Sequence, residues 1–192
     1  MAWRTLVFGV AWCLYGFAGP AWAATPDPVV AVVFEDPQVL LHKGAAHAQS
    51  IVRDIYRSAH VTIVWGSGVA ETADRVLTVT FVTSAAAPAG VGPDAMGVAP
   101  SPGDGTRGTQ AFVFVDRVRR FADEHRVSFS YVLAGAIAHE VGHLLLPPNA
   151  HLAEGIMQPS WHATQFPPKA AGVPGFPQVQ ARLLRLRAAR QP

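Results

Sequence analysis

Sulfur and charge are both scarce in this chain. Its one cysteine, Cys13, excludes an intramolecular disulfide and any cysteine-rich zinc module, so a metal would have to be held by His, Asp or Glu. Charged residues make up 15% of the chain, and 15 Lys plus Arg against 13 Asp plus Glu leave a net charge of +2. That balance is too small for a phosphate-binding surface and argues against nucleic acid as a partner. No apolar run reaches the ~20 residues of a membrane span, because Gly16, Gly19 and Pro20 interrupt the longest one. What the chain does have is a 50% hydrophobic content over 192 residues, enough for one domain with a real core and too much for disorder. It also has 8 histidines.

The N-terminus reads as an export signal. Arg4 precedes the apolar stretch Leu6–Phe17, and Ala21, Trp22 and Ala23 form the small-x-small pattern that signal peptidases cut. Residues 1–23 are therefore expected to be removed, leaving a cysteine-free mature domain over 24–192. The expected location is secreted or extracytoplasmic, periplasmic in a Gram-negative bacterium, with membrane contact only through the cleaved segment. Cys13 follows Trp12 rather than a small residue, so it reads as apolar filler and not as a lipid attachment site.

Along the mature chain, periodicity predicts strand, helix, strand, strand. The β-branched run Val29–Phe34 predicts a buried strand. Residues 44–59 place Ile51, Val52, Ile55 and Tyr56 at helical spacing opposite Arg53, Asp54 and Arg57. Val61–Trp65 predicts a second strand, and the alternating Arg75–Thr83 a third. Residues 84–109, rich in Ala, Gly and Pro, form a loop too long for an idle connector, within which Ala95–Ala99 predicts a short edge strand. Ala111–Val115 predicts the last strand, and the basic cluster Arg117, Arg119, Arg120 behind it a solvated face. Phe129–Leu145 is apolar on nearly every side and predicts a centrally buried helix, capped by Ser128 or Ser130 and stopped by Pro147 and Pro148. In Gln178–Arg190, Val179, Leu183 and Leu186 form one stripe and predict a final amphipathic helix. These elements predict an α+β, α/β-like class: a mixed, mostly parallel twisted sheet with an antiparallel edge, a buried helix and a C-terminal helix.

On the buried helix lies His139-Glu140-Val141-Gly142-His143. Histidines four apart share one helical face, so both imidazoles can reach one zinc ion while Glu140 faces a water beside it. Burying three ionisable groups in an apolar helix is costly without such a partner. A catalytic zinc usually has a third protein ligand, and His151, Glu154 and His162 are the downstream candidates. His151, just past the proline turn, suits a chain that doubles back beneath the metal.

The segment from His139 to His151, followed by Gly155, Ile156 and Met157, resembles the metzincin zinc peptidases, in particular their matrixin-like branch. The resemblance implies a zincin-like fold, Zn2+ as cofactor, His139, His143 and His151 as metal ligands, and Met157 as the methionine of a turn under the metal. It departs from the family pattern twice: Leu146 replaces the family glycine, and Asn149 stands where the third histidine is usual, so the ligand is shifted by two residues. The implied activity is a zinc-dependent endopeptidase with Glu140 as general base, acting as a monomer on protein or peptide substrates. Alternatives are a zinc hydrolase of a non-protein amide and an inactive secreted module that binds peptides. No tyrosine follows Tyr131 to assist the metal, and neither a cysteine latch nor room for a folded propeptide is expected after residue 23. Protein starting at residue 24 is therefore expected to give progress curves without a lag; a requirement for N-terminal trimming would contradict this.

Overall fold

In the computed structural model, which describes residues 26–41, 44–101, 107–166 and 173–189, five strands and four α-helices form an α+β domain. The expected export segment lies outside the described residues. The strands are β1 (Val29–Glu35), β2 (Thr62–Trp65), β3 (Arg75–Val82), β4 (Gly97–Val98) and β5 (Gln110–Phe114). Their order is β2-β1-β3-β5-β4, parallel except for β4, which runs antiparallel to β5 at the edge. Side chains alternate across a strand, so one face of the sheet gathers Val30, Val32, Leu77, Val79, Phe81, Ala111 and Val113, all buried. The opposite face carries Thr62 and Gln110 in solvent and Val76 at 40% exposure. The same face also buries Ala31, Thr80 and Phe114, so the alternation that made Arg75–Thr83 legible as a strand is only partial.

The covering helices are α1 (Ala45–Ser58) and α3 (Phe129–Leu145), with α2 (Val115–His125) and α4 (Gln178–Ala188) beside α3. In α1, Ala48, Val52, Ile55 and Tyr56 are buried while Arg53, Asp54 and Arg57 face water, as the spacing predicts. Gly44 starts this helix at φ 96°, and a Cβ there would come within 2.8 Å of Ser130 Oγ, so a side chain would be strained twice over. Thirteen of the seventeen residues of α3 are buried, which makes it the spine of the domain. Among the described residues no helix is long and apolar enough to cross a membrane.

Five expectations need correction. The edge strand is only Gly97–Val98, not Ala95–Ala99. Val115 ends no strand: it is the first residue of α2, which follows β5 with no loop and buries Val115, Val118 and Ala122. The basic cluster on that helix is not merely solvated, since Arg117 lies 4.7 Å over the Phe114 ring and Arg119 4.8 Å over Phe129. Ser128 is the N-cap of α3 but makes no side-chain cap; its carbonyl accepts from the amides of Tyr131 and Val132 instead. In α4 the expected stripe is reversed: Gln180, Leu184 and Ala188 are buried, while Val179, Leu183 and Leu186 face outward.

The hydroxyl of Tyr56 ties α1 to the spine by donating to the carbonyl of Ala138, 2.8 Å away and fully buried. Burial, followed by the neighbouring Glu140 charge, holds this phenol well above its usual pKa, so it stays a donor. Tyr56→Phe is expected to lower stability by about 1 kcal/mol in urea unfolding without altering the m-value; an unchanged midpoint would show that the bond contributes nothing.

Candidate metal centre

The centre is assembled by α3 and the chain that returns beneath it. Leu146 leaves the helix in extended geometry (φ −85°, ψ 168°), as expected for a residue before proline. Asn149 then adopts left-handed geometry at φ 59°, the turn that brings His151 back. The returning loop closes on itself through the amide of Leu152, which donates to the carbonyl of Met157 at 3.1 Å. It is anchored from outside by two contacts. The amide of Ile156 donates to the carbonyl of Gly175 (2.9 Å), and Gln180 Nε2 donates to the carbonyl of Ala150 (2.6 Å), the residue before His151. Gly155 sits at φ 78°, where a Cβ would come within 2.5 Å of Pro177, so the loop needs glycine there.

His139, His143 and His151 converge. Their Nε2 atoms form a triangle with sides of 3.0 Å (His139 to His143), 3.1 Å (His143 to His151) and 3.3 Å (His139 to His151). Nitrogens held by tetrahedral bonds of about 2.0–2.1 Å would be about 3.3–3.4 Å apart, so the triangle has the dimensions of a three-histidine metal site. His139 Nδ1 lies 2.8 Å from the carbonyl of Ile156. A carbonyl only accepts, so Nδ1 carries the proton and the Nε2 lone pair points into the triangle. Burial, outweighing the Ile156 hydrogen bond that acts the other way, lowers the His139 pKa to about 4, with His151 contributing. Burial and then the His139 and His151 charges lower that of His143 to about 4. Both imidazoles are thus neutral near pH 7, the state in which they can donate a lone pair.

Glu140 is 6% exposed, and burial pushes its pKa up to about 8. It opens onto a cleft of about 320 Å³ that the three histidines share, bounded by β4 on one side and Pro159–Trp161 on the other. At Gly97 a Cβ would lie 2.6 Å from Glu140 Cγ and 2.6 Å from the Phe112 carbonyl, so the edge strand approaches the carboxylate as closely as a backbone can. The rim is held from behind: Arg117 Nη1 donates to the carbonyls of Gly92 (2.8 Å) and Ala95 (2.7 Å). The opposite wall is Trp161, whose ring lies 5.6 Å from that of His139 and 5.3 Å from that of Phe166.

Met157 is fully buried beneath α3, and a Cβ at Gly142 would come within 2.6 Å of its Sδ. Glu154 is exposed and His162 sits at the start of a 3-10 turn; neither belongs to the histidine group. Gly97, Arg117, Trp161 and Gln180 were missed from sequence. One signal was available: a glycine inside a helix costs about 1 kcal/mol against alanine, and Gly135 and Gly142 in α3 mark where Trp161 and Met157 press in. No model of a known protein family matches the chain, and no curated protein matches it either.

Two outcomes are expected. Zinc titration of alanine variants should show affinity collapsing for His139, His143 and His151, with Glu154→Ala and His162→Ala near the parent value; collapse in either of the last two would show that the third ligand is misassigned. Gln180→Ala, which releases the carbonyl before His151, is expected to weaken zinc by about 10-fold to 100-fold, and unchanged affinity would remove Gln180 from the account.

Proposed function

We propose that this protein is an exported zinc-dependent endopeptidase of the metzincin type, with a matrixin-like metal helix. The observation that carries the reading is the convergence of three histidine Nε2 atoms beside a buried glutamate, in a cleft flanked by a sheet edge. The donor set fits zinc: three imidazole nitrogens, those of His139 and His143 neutral near pH 7, beside an open cleft. The mostly parallel sheet with one antiparallel edge and the buried Met157 under the histidines support the family reading, and the pattern of residues 1–23 supports export.

When bound, zinc supplies a Lewis acid that makes water more acidic and draws electron density from a carbonyl. His139, His143 and His151 would hold it, and the Ile156 carbonyl keeps the His139 ring in the tautomer that binding needs. Glu140 Oε accepts a proton from the attacking water as the new C–O bond forms, then passes that proton to the amide nitrogen as the C–N bond breaks. Peptide and water become a carboxylic acid and an amine, with no other reactant. The narrow gap between Gly97 and Glu140 leaves little room for bulk water behind the carboxylate. Among the described residues β4 lies at the end of the sheet and pairs only with β5, so an extended substrate can add to its free edge through the backbone.

Glu140→Ala is expected to keep zinc and fold while hydrolysis of a peptide library falls by about 10²-fold to 10⁴-fold; undiminished turnover would refute the proposed role. Val98→Pro is expected to raise KM or lower kcat across many sequences by disrupting the edge strand, because the Met96–Phe114 hydrogen bond and the β4–β5 register turn the Val98 amide toward Phe112 rather than the free edge; unchanged kinetics would move the substrate away from β4.

A further inference from the structure

Helix α4 is seated with its apolar stripe outward. Val179, Leu183 and Leu186, spaced one turn apart, are 62%, 37% and 65% exposed, while Gln180 takes an inward position to hold the loop before His151. These three make up half of the exposed large hydrophobic residues in the described chain. The helix itself carries charge of one sign, Arg182, Arg185 and Arg187 with no acidic residue. From residue 155 onward there are five basic residues and no acidic one. Arg182 is exposed between Val179 and Leu186; Arg185 is 3.6 Å from Asp27 and is not counted as free.

At the C-terminal end of the helix more arginines gather. Arg107 Nη1 donates to the carbonyl of Arg187 at 3.0 Å, and Arg187 Nε donates to the carbonyl of Leu145 at 2.9 Å. Continuing the β3–β5 register places Arg75 level with Arg107, and its Nε is buried without a hydrogen-bond partner. Desolvation and then the charges of Arg187 and Arg75 lower the Arg107 pKa, which reports that the guanidinium groups repel. Among the described residues no carboxylate pairs with Arg75, Arg107, Arg182 or Arg187.

We propose that the outward face of α4 docks on an anionic lipid surface, with Val179, Leu183 and Leu186 entering the headgroup boundary and the surrounding arginines meeting the lipid phosphates. An apolar stripe on a helix whose own charges are all positive is the pattern of an interfacial helix, with Asp27 beside Arg185 at its edge. A second copy of the chain fits less well, because stacking two such faces would bring like charges together as water is removed. The proposal stands apart from hydrolysis and needs no metal.

The test is cosedimentation of the chain from Ala24 onward with vesicles of equal parts phosphatidylglycerol and phosphatidylethanolamine, against phosphatidylcholine alone. Binding is expected to be at least about 10-fold stronger to the anionic vesicles and to weaken as salt rises. Val179→Ser, Leu183→Ser and Leu186→Ser combined, with zinc affinity measured to show an intact fold, should lose that binding, and Arg182→Glu alone should weaken it. Equal binding to both lipids, parent-level binding by the triple variant, or no vesicle binding would each overturn the proposal. So would a concentration-dependent dimer that the triple variant abolishes, since the stripe would then be covered by a second copy.

Discussion

The hydrogen bond between His139 Nδ1 and the carbonyl of Ile156 joins the buried helix to the loop that returns beneath it, and the centre depends on it. It orients the ring and fixes its tautomer, and it is available only if the chain turns back after Pro148. The turn requires the extended geometry of Leu146 and the left-handed geometry of Asn149. The loop in turn requires Gly155, against which Pro177 is packed, and the side chain of Gln180. One tautomer thus rests on contacts reaching from residue 139 to residue 180.

Burial links fold and chemistry. Keeping His139, Glu140 and His143 in an apolar helix costs free energy unless their charge is suppressed or matched. Without a cation, burial drives both histidines neutral and holds the Glu140 proton to about pH 8. The arrangement is therefore one in which a dication would find neutral nitrogen donors and a carboxyl whose proton its charge helps to displace. The sheet serves this by covering one side of α3 and by ending in a two-residue strand whose Gly97 leaves no room for a Cβ beside Glu140 and the Phe112 carbonyl.

Much of this was legible in sequence because it follows from local periodicity. The i, i+4 spacing of His139 and His143 sets their common face, and two prolines fix where the helix stops. The unlegible parts depend on contacts between distant segments. Nothing local separates Phe114 from Val115, so the abrupt change from β5 to α2 hid a helix whose buried positions, Val115, Val118 and Ala122, were present at helical spacing. In α4 the apolar stripe is real but does not decide which side is buried; the reach of Gln180 to Ala150 and of Arg187 to Leu145 does. Trp161 gave no signal of its own, yet Gly135 facing it in mid-helix did.

The most direct test of the central claim, a hydrolytic zinc centre formed by three histidines and Glu140, is mass-spectrometric cleavage mapping of a peptide library. The protein would be measured zinc-loaded, stripped by a chelator and reloaded. The account predicts internal peptide-bond cuts that vanish on stripping and return with one zinc per chain. Stoichiometric zinc binding with no cut in any peptide, or cutting that persists without metal, would contradict it.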